Sequence, residues 1–271
     1  MDLSAIKNKL QNMQQKPKGA KVDYEKIFWK PPVGKTQVRV IPSKFDKTNP
    51  FKELFFHYGI TNKVMISPTS FGEKDPIAEF ARQLRQSNDK ENWRLAKKLD
   101  PKMRVFVPVI VRGEEDKGVR LWQFGKEMYM EFLSMADDDD IGDFTDIIEG
   151  RDFTVDTVGP EVTGTAYNKS SIRPRTKITP LSEDSSQVEK WLEEQPDPST
   201  LFKRYTFEEM KEALEKWLTP EEDEEEVYEE GTIIDEDSNE VSSSDSYALK
   251  TAKKISKTDK FDALFDEDEN N

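Results

Sequence analysis

The 271-residue sequence predicts a mainly β fold with inserted helices (α+β), a small, partly open barrel set between two tails of opposite charge. Three observations predict it. Short alternating apolar stretches recur through the middle of the chain with helical segments between them, which argues for a barrel and against a parallel, doubly wound sheet. Hydrophobic residues make up 34% of the chain and charged residues 35%, too polar a mixture for a globule of full length, yet 16 Phe, 7 Tyr and 5 Trp suffice for one core. Charge is also unevenly placed. Of the net −14, residues 219–271 carry 19 acids against 5 lysines, and the rest of the chain balances at 36 of each sign.

The N-terminal arm, residues 1–20, opens the chain with the opposite sign. Residues 1–40 hold nine Lys/Arg and three acids. Within it, "LSAIKNKLQNM" sets Leu3, Ile6 and Leu10 on one side of a short helix beside Lys7 and Lys9. Such a helix is too short to stand alone in water, and "QQKPKGAK" breaks it.

The central segment, residues 21–218, carries the core. "TQVRVIP" alternates, with Val38 and Val40 on one face and Gln37, Arg39 and Ile41 on the other; "ELFFHYGI" predicts a second strand. Asp75 and Pro76 start a helix in "DPIAEFARQLRQS", as N-cap and first helical residue. "RVFVPVIVRGEEDKGVRLWQFG" gives two strands around a charged turn at Glu114–Gly118, with Pro108 marking an edge or a bulge. In "GKEMYMEFLSMA", Met128, Phe132 and Met135 fall at helical spacing toward a core. "EGRDFTVDTVG" is a further strand, and "PEVTGTAYNKSSI" continues the sheet after a turn. Thr206 and Glu209 form a capping box in "YTFEEMKEALEKWL", and Pro220 stops that helix.

The tail, residues 219–271, cannot bury enough apolar surface to offset its ordering entropy and is predicted to be disordered. It holds a basic island, "LKTAKKISKTDK", and ends with Phe261, Leu264 and Phe265 among acids. Those three residues fit either a solubilising tail or a docking peptide for protein partners.

Several chemistries are excluded at this stage. The chain has no cysteine and a single histidine, His57, so disulfides, thiolate metal sites and histidine-rich metal sites are not expected. No segment approaches the roughly 20 apolar residues of a membrane span, and the N-terminus lacks the apolar run of a signal peptide, so a cytoplasmic protein without a membrane partner is predicted. The run Asp137–Asp140 fails the calcium-loop pattern, since its fifth and twelfth positions are Ile141 and Ile148. With no Gly-rich phosphate loop and no nucleophile elbow, no enzyme and no cofactor are predicted.

What remains points to nucleic acid. In "GVRLWQFGK", Arg120, Trp122 and Phe124 share one strand face, followed by Lys126. Either the two rings stack on bases beside an electrostatic rail, or they face the core while Arg120 reaches the rim. "AYNKSSIRPRTK" repeats the pattern with Tyr167, Lys169, Arg173, Arg175 and Lys177, and no acid among them; Arg39, Lys44 and Arg104 extend it. Rings bind the exposed faces of unpaired bases, and cations hold phosphates.

At these residues the sequence resembles the single-stranded DNA-binding (helix-destabilising) proteins of T-even-type bacteriophages. The likeness runs through "VRVIPSK", "LFFHYG", "VRLWQFGKEMYMEFL", "EGRDFTV…TGTAYNKSSI" and "TFEEM" to the acidic tail, in that order. It implies an OB-fold-like, partly open β-barrel core and cooperative coating of single strands. It also implies roles in DNA replication, recombination and repair in the cytoplasm of an infected bacterial host. Arg39 and Lys44 fall on its basic positions, and Trp122 and Tyr167 on ring positions of its cleft. Its arm implies self-association along DNA, and its tail implies recruitment of phage replication and recombination proteins. Its best-known members also hold a structural zinc through one His and three Cys in the segment matching 57–78. Here only His57 is present, so zinc is not carried over; packing by Phe71, Ile77, Phe80 and Leu84 is the expected replacement. Two other readings stay open: an acidic adaptor whose core binds protein while its tail mimics nucleic acid, and a metal nuclease built on the aspartate run.

Overall fold

The computed structural model describes residues 24–87 and 89–219. Eight strands form one mixed, open sheet: β1 (Phe28–Trp29), β2 (Gly34–Val40), β3 (Lys52–His57), β4 (Met65–Ile66), β5 (Lys102–Val111), β6 (Arg120–Phe124), β7 (Arg151–Val158) and β8 (Lys169–Ile178). Seven helices decorate it: α1 (Tyr24–Ile27), α2 (Pro76–Gln86), α3 (Lys90–Leu99), α4 (Lys126–Ala136), α5 (Pro160–Thr163), α6 (Ser185–Glu193) and α7 (Phe207–Leu218). The main path runs β1-β6-β5-β2-β7-β8, with β1 parallel to β6, while β3 and β4 branch from β5. The mainly β architecture with inserted helices is therefore as the sequence predicts.

β5 is the axis of the sheet. Its residues 102–106 pair with β3, 109–111 pair with β2, and 105–109 pair with β6 on the other side. Pro108 lies where β3 gives way to β2, so it is neither at an edge nor in a bulge as its sequence suggests. Its carbonyl accepts from the Ile41 amide at 3.1 Å. In an extended strand the N–H of a residue points to the same side as its C=O, so the missing donor faces that junction, where no regular partner is due.

Among the described residues four apolar clusters result, two of them large. The barrel-side core gathers Val38 and Val40, Val105 and Val107, Trp122 and Phe124, Phe132, Phe153, Val155 and Ile172. The alternation in "TQVRVIP" is what delivers Val38 and Val40 to this face. A helical lobe forms from α2, α3 and α7, where Ile77, Phe80, Leu84, Leu95, Leu99, Met210, Leu214 and Leu218 pack together. Each buried Leu, Ile or Phe there stabilises by about 1.5–3 kcal/mol.

Local signals explain the helix starts. Asp75 accepts from the amides of Ile77 at 2.9 Å and Ala78 at 3.0 Å, with Pro76 in the first turn. Thr206 and Glu209 close the expected capping box. Asp89 and Asp184 cap α3 and α6, two helices the sequence reading does not anticipate. The stretch after β7 first makes the short helix α5 and only then re-enters the sheet as β8. Among the described residues no helix is long and apolar enough to cross a membrane.

Candidate nucleic-acid interface

The outer face of β2, β7 and β8 is an exposed basic surface assembled by regular register. Lys35 stands opposite Asp156, and Asp156 opposite Ser171; Gln37 stands opposite Thr154, and Thr154 opposite Arg173. All of these therefore point to one side of the sheet. The Lys35 and Arg173 side chains are 66% and 68% exposed, and both lean on Asp156, at 3.8 and 3.4 Å. Arg175 reaches across β7 to the Gln37 side-chain carbonyl. Lys169, Arg173, Arg175 and Lys177 are all exposed along β8. Tyr167, 38% exposed, lies in the loop just before them, where the Thr165 hydroxyl donates to its carbonyl at 2.8 Å. The basic, acid-free stretch read in the sequence is thus a solvated ribbon with a ring at one end.

Five other sequence candidates stand elsewhere and are buried in the folded chain. Trp122 and Phe124 are each only 2% exposed. Trp122 packs edge-on against Trp29 and Phe124, both at 5.1 Å between ring centroids, and against Phe132 at 5.8 Å. No ring face is open to a base, so the core reading of that strand holds. Arg120 reaches the rim, where it pairs with Glu114 and holds that carboxyl below its ordinary range. Arg104 is 1% exposed; it donates to the Met103 carbonyl at 3.0 Å and lies 5.5 Å from the Tyr58 ring.

Arg39 is the instructive case. Alternation with Lys35 and Gln37 does put it on the outer face, but the chain after β8 roofs that end of the sheet. Its guanidinium donates to Asp152 at 2.8 Å and to the carbonyl and hydroxyl of Thr179 at 2.8 and 2.6 Å. Arg112 shares the Asp152 carboxylate at 3.0 Å. Burial pulls the Arg39 guanidinium below its ordinary value, and Asp152 opposes that pull. Arg39 thus buttresses the junction of β2, β7 and the chain after β8. Arg39→Lys keeps the charge but loses the planar fork whose separate nitrogens reach Asp152 and Thr179. The expected result is a loss of about 2 kcal/mol in denaturant unfolding with unchanged DNA affinity of the folded protein. Weakened binding at full stability would return Arg39 to the interface.

Lys44 is exposed, yet its ammonium caps the end of α6 through the Glu193 carbonyl at 2.9 Å. Lys126 is exposed at the first position of α4. Lys7, Lys9, Phe261, Leu264 and Phe265 lie outside the described residues.

The sequence reading missed two rings. Trp93 on α3 is 53% exposed, with Lys90, Arg94, Lys97 and Lys98 on the exposed side of the same helix and the Lys97 ammonium 6.0 Å from its ring. Phe45, 51% exposed, follows Lys44. A signal existed for Trp93: in "ENWRLAKKL" it falls off the stripe of Leu95, Ala96 and Leu99 that packs inward.

The residues at the expected zinc position do not fit a zinc. His57 is 1% exposed, and both ring nitrogens are engaged, Nδ1 with the Leu99 carbonyl at 2.9 Å and Nε2 with Asp75 at 2.8 Å. No cysteine thiolate exists in the chain, and no cluster of three or more His, Asp or Glu suited to a metal occurs among the described residues, the aspartate run included.

A search of curated proteins found no match. A family model described as "gp32 DNA binding protein like" matches residues 33–219, which covers β2 through α7 and with them the helical lobe and the basic face. Strands β2 to β8, the lobe and the interface fall together within that match, and the chain belongs to the gp32-like DNA-binding protein family.

Proposed function

We propose that the protein binds single-stranded DNA, largely without regard to sequence, and coats it during phage DNA replication, recombination and repair. The observation that carries this reading is the solvated basic ribbon on β8, where Lys169, Arg173, Arg175 and Lys177 face solvent with Tyr167 beside them. Phosphates lie along every strand at regular spacing, so a row of cations binds backbone and ignores sequence. Exposed rings add affinity only where bases are unpaired, at about 1–3 kcal/mol per stacked base. Tyr167 supplies such a ring on the ribbon, and Trp93 supplies a second within its own lysine-rich helix. Membership in a DNA-binding family supports the same reading.

The two tails complete it. The arm, residues 1–20, links neighbouring copies along the strand. The tail, residues 219–271, competes with phosphates for the basic face and presents Phe261, Leu264 and Phe265 to partner proteins once DNA displaces it. A tethered segment of net −14 is held near the cations at high effective concentration.

One titration tests the whole reading. Full-length protein and chains lacking 1–20 or 219–271 are titrated with short and long single-stranded homopolymers of DNA and RNA, and with duplex, at two salt concentrations. Single strands should win over duplex. Loss of the arm should weaken long strands more than short ones, and loss of the tail should tighten binding most at low salt, where screening is weakest. Equal affinity for duplex would remove the single-strand reading, and no nucleic-acid binding would favour the protein-binding adaptor.

A further inference from the structure

The lobe that should be organised by a metal contains a buried polar knot. Asp75 is 2% exposed, His57 1% and Ser67 0%. One carboxylate oxygen of Asp75 caps α2 through the Ile77 and Ala78 amides. The other receives both His57 Nε2, at 2.8 Å, and the Ser67 hydroxyl. Ser67 also lies 2.8 Å from the Thr69 hydroxyl. On the far side of the ring, Nδ1 meets the Leu99 carbonyl, which can only accept, so Nδ1 carries a hydrogen; the bond at Nε2 is then made by a second hydrogen held against Asp75. Burial pushes the Asp75 carboxyl up, but the bonds from His57, Ser67 and Ala78 outweigh it and hold it below its ordinary range.

Four separate pieces of chain end on this knot: the last residue of β3, the segment just after β4, the start of α2 and the end of α3. A tetrahedral structural zinc joins separate pieces of chain in the same way, by convergence on one point. We propose that the His57–Asp75–Ser67 knot does the structural work of a metal in this chain, so that the lobe is tied by hydrogen bonds and is independent of zinc. Packing by Ile77, Phe80 and Leu84, each 0% exposed, accompanies the knot but does not join β3 to α3. Phe71 packs elsewhere, beside Leu54, Phe56 and Phe106.

The test uses the full chain. Elemental analysis should find no stoichiometric zinc, and EDTA should leave the melting temperature unchanged. Asp75→Ser retains a good cap for α2 but is too short to hold His57 as well. It should melt about 10 °C lower, because one partner of a buried pair is removed, and added zinc should not restore it. Should that variant fail to fold, Ser67→Ala, expected to melt about 5 °C lower, carries the test. One zinc per chain whose removal by EDTA lowers the melting temperature would overturn the proposal. So would Asp75→Ser melting with the parent, because Asp75 would then be only a helix cap, or Ser67→Ala doing so in its place.

Discussion

Trp122→Ala lowers the stability of the folded chain by about 3–5 kcal/mol and leaves the DNA affinity of the molecules that remain folded near the parent value. The indole fills the space between Trp29, Phe124 and Phe132 in the barrel-side core, and β6 pairs through it with both β1 and β5. Truncation there removes ring contacts on three sides. The surrounding strands are locked by ladders and cannot collapse into the space, so the cavity cost adds to the lost transfer free energy. Denaturant unfolding followed by near-ultraviolet dichroism measures the loss. A stable variant with weakened single-strand binding would restore Trp122 to the role of a stacking platform.

Replacing Lys169, Arg173 and Arg175 together with glutamine reduces single-strand affinity about a hundredfold at roughly 100 mM salt and flattens the salt dependence by about 2 in log–log slope. Both figures follow from three lost phosphate contacts at about 0.7 each. The fold should tolerate the change. The side chains are exposed, and the contact of Arg173 with Asp156 at 3.4 Å is of the solvent-screened kind, worth at most about 1 kcal/mol. Titration of the variant at several salt concentrations, with melting measured in parallel, separates affinity from stability. An unchanged slope would show that phosphates run elsewhere, and the lysine-rich side of α3 with Trp93 would be the next surface to substitute.

Much of the fold was legible because its signals are local. Alternation placed Val38 and Val40 inward, Asp75–Pro76 and Thr206–Glu209 announced their helices, and the charged turn joined β5 to β6. The site was legible only in part, since alternation assigns a residue to a face without saying what covers that face. Arg39 and Arg173 both point outward from the same three strands. The segment at Thr179 roofs the first, and the second stays in solvent. In "GVRLWQFGK" the same alternation fits a wet platform or a core strand. The choice was made by β1, which supplies Trp29 from a distant part of the chain. The polar knot was hidden for a similar reason, because His57, Ser67, Asp75 and Leu99 are brought together only by the lobe.

The basic ribbon is also the last strand of an open sheet. Beyond β8 no further strand follows in the ladder among the described residues, so ten residues, Lys169–Ile178, present one side as a template to which a foreign strand could add. Long bare edges of this kind invite aggregation, and proteins defend them with lysine, arginine and proline. Lys169, Arg173, Arg175 and Lys177 supply such charges, and Pro174 interrupts the run of donors. Two such edges repel when copies crowd together in solution, and a polyanion lying between them removes the repulsion. The charges proposed to hold a nucleic-acid strand would thereby keep free copies from zipping into one another. Any variant stripped of them should be handled as an aggregation-prone protein as well as a weak binder.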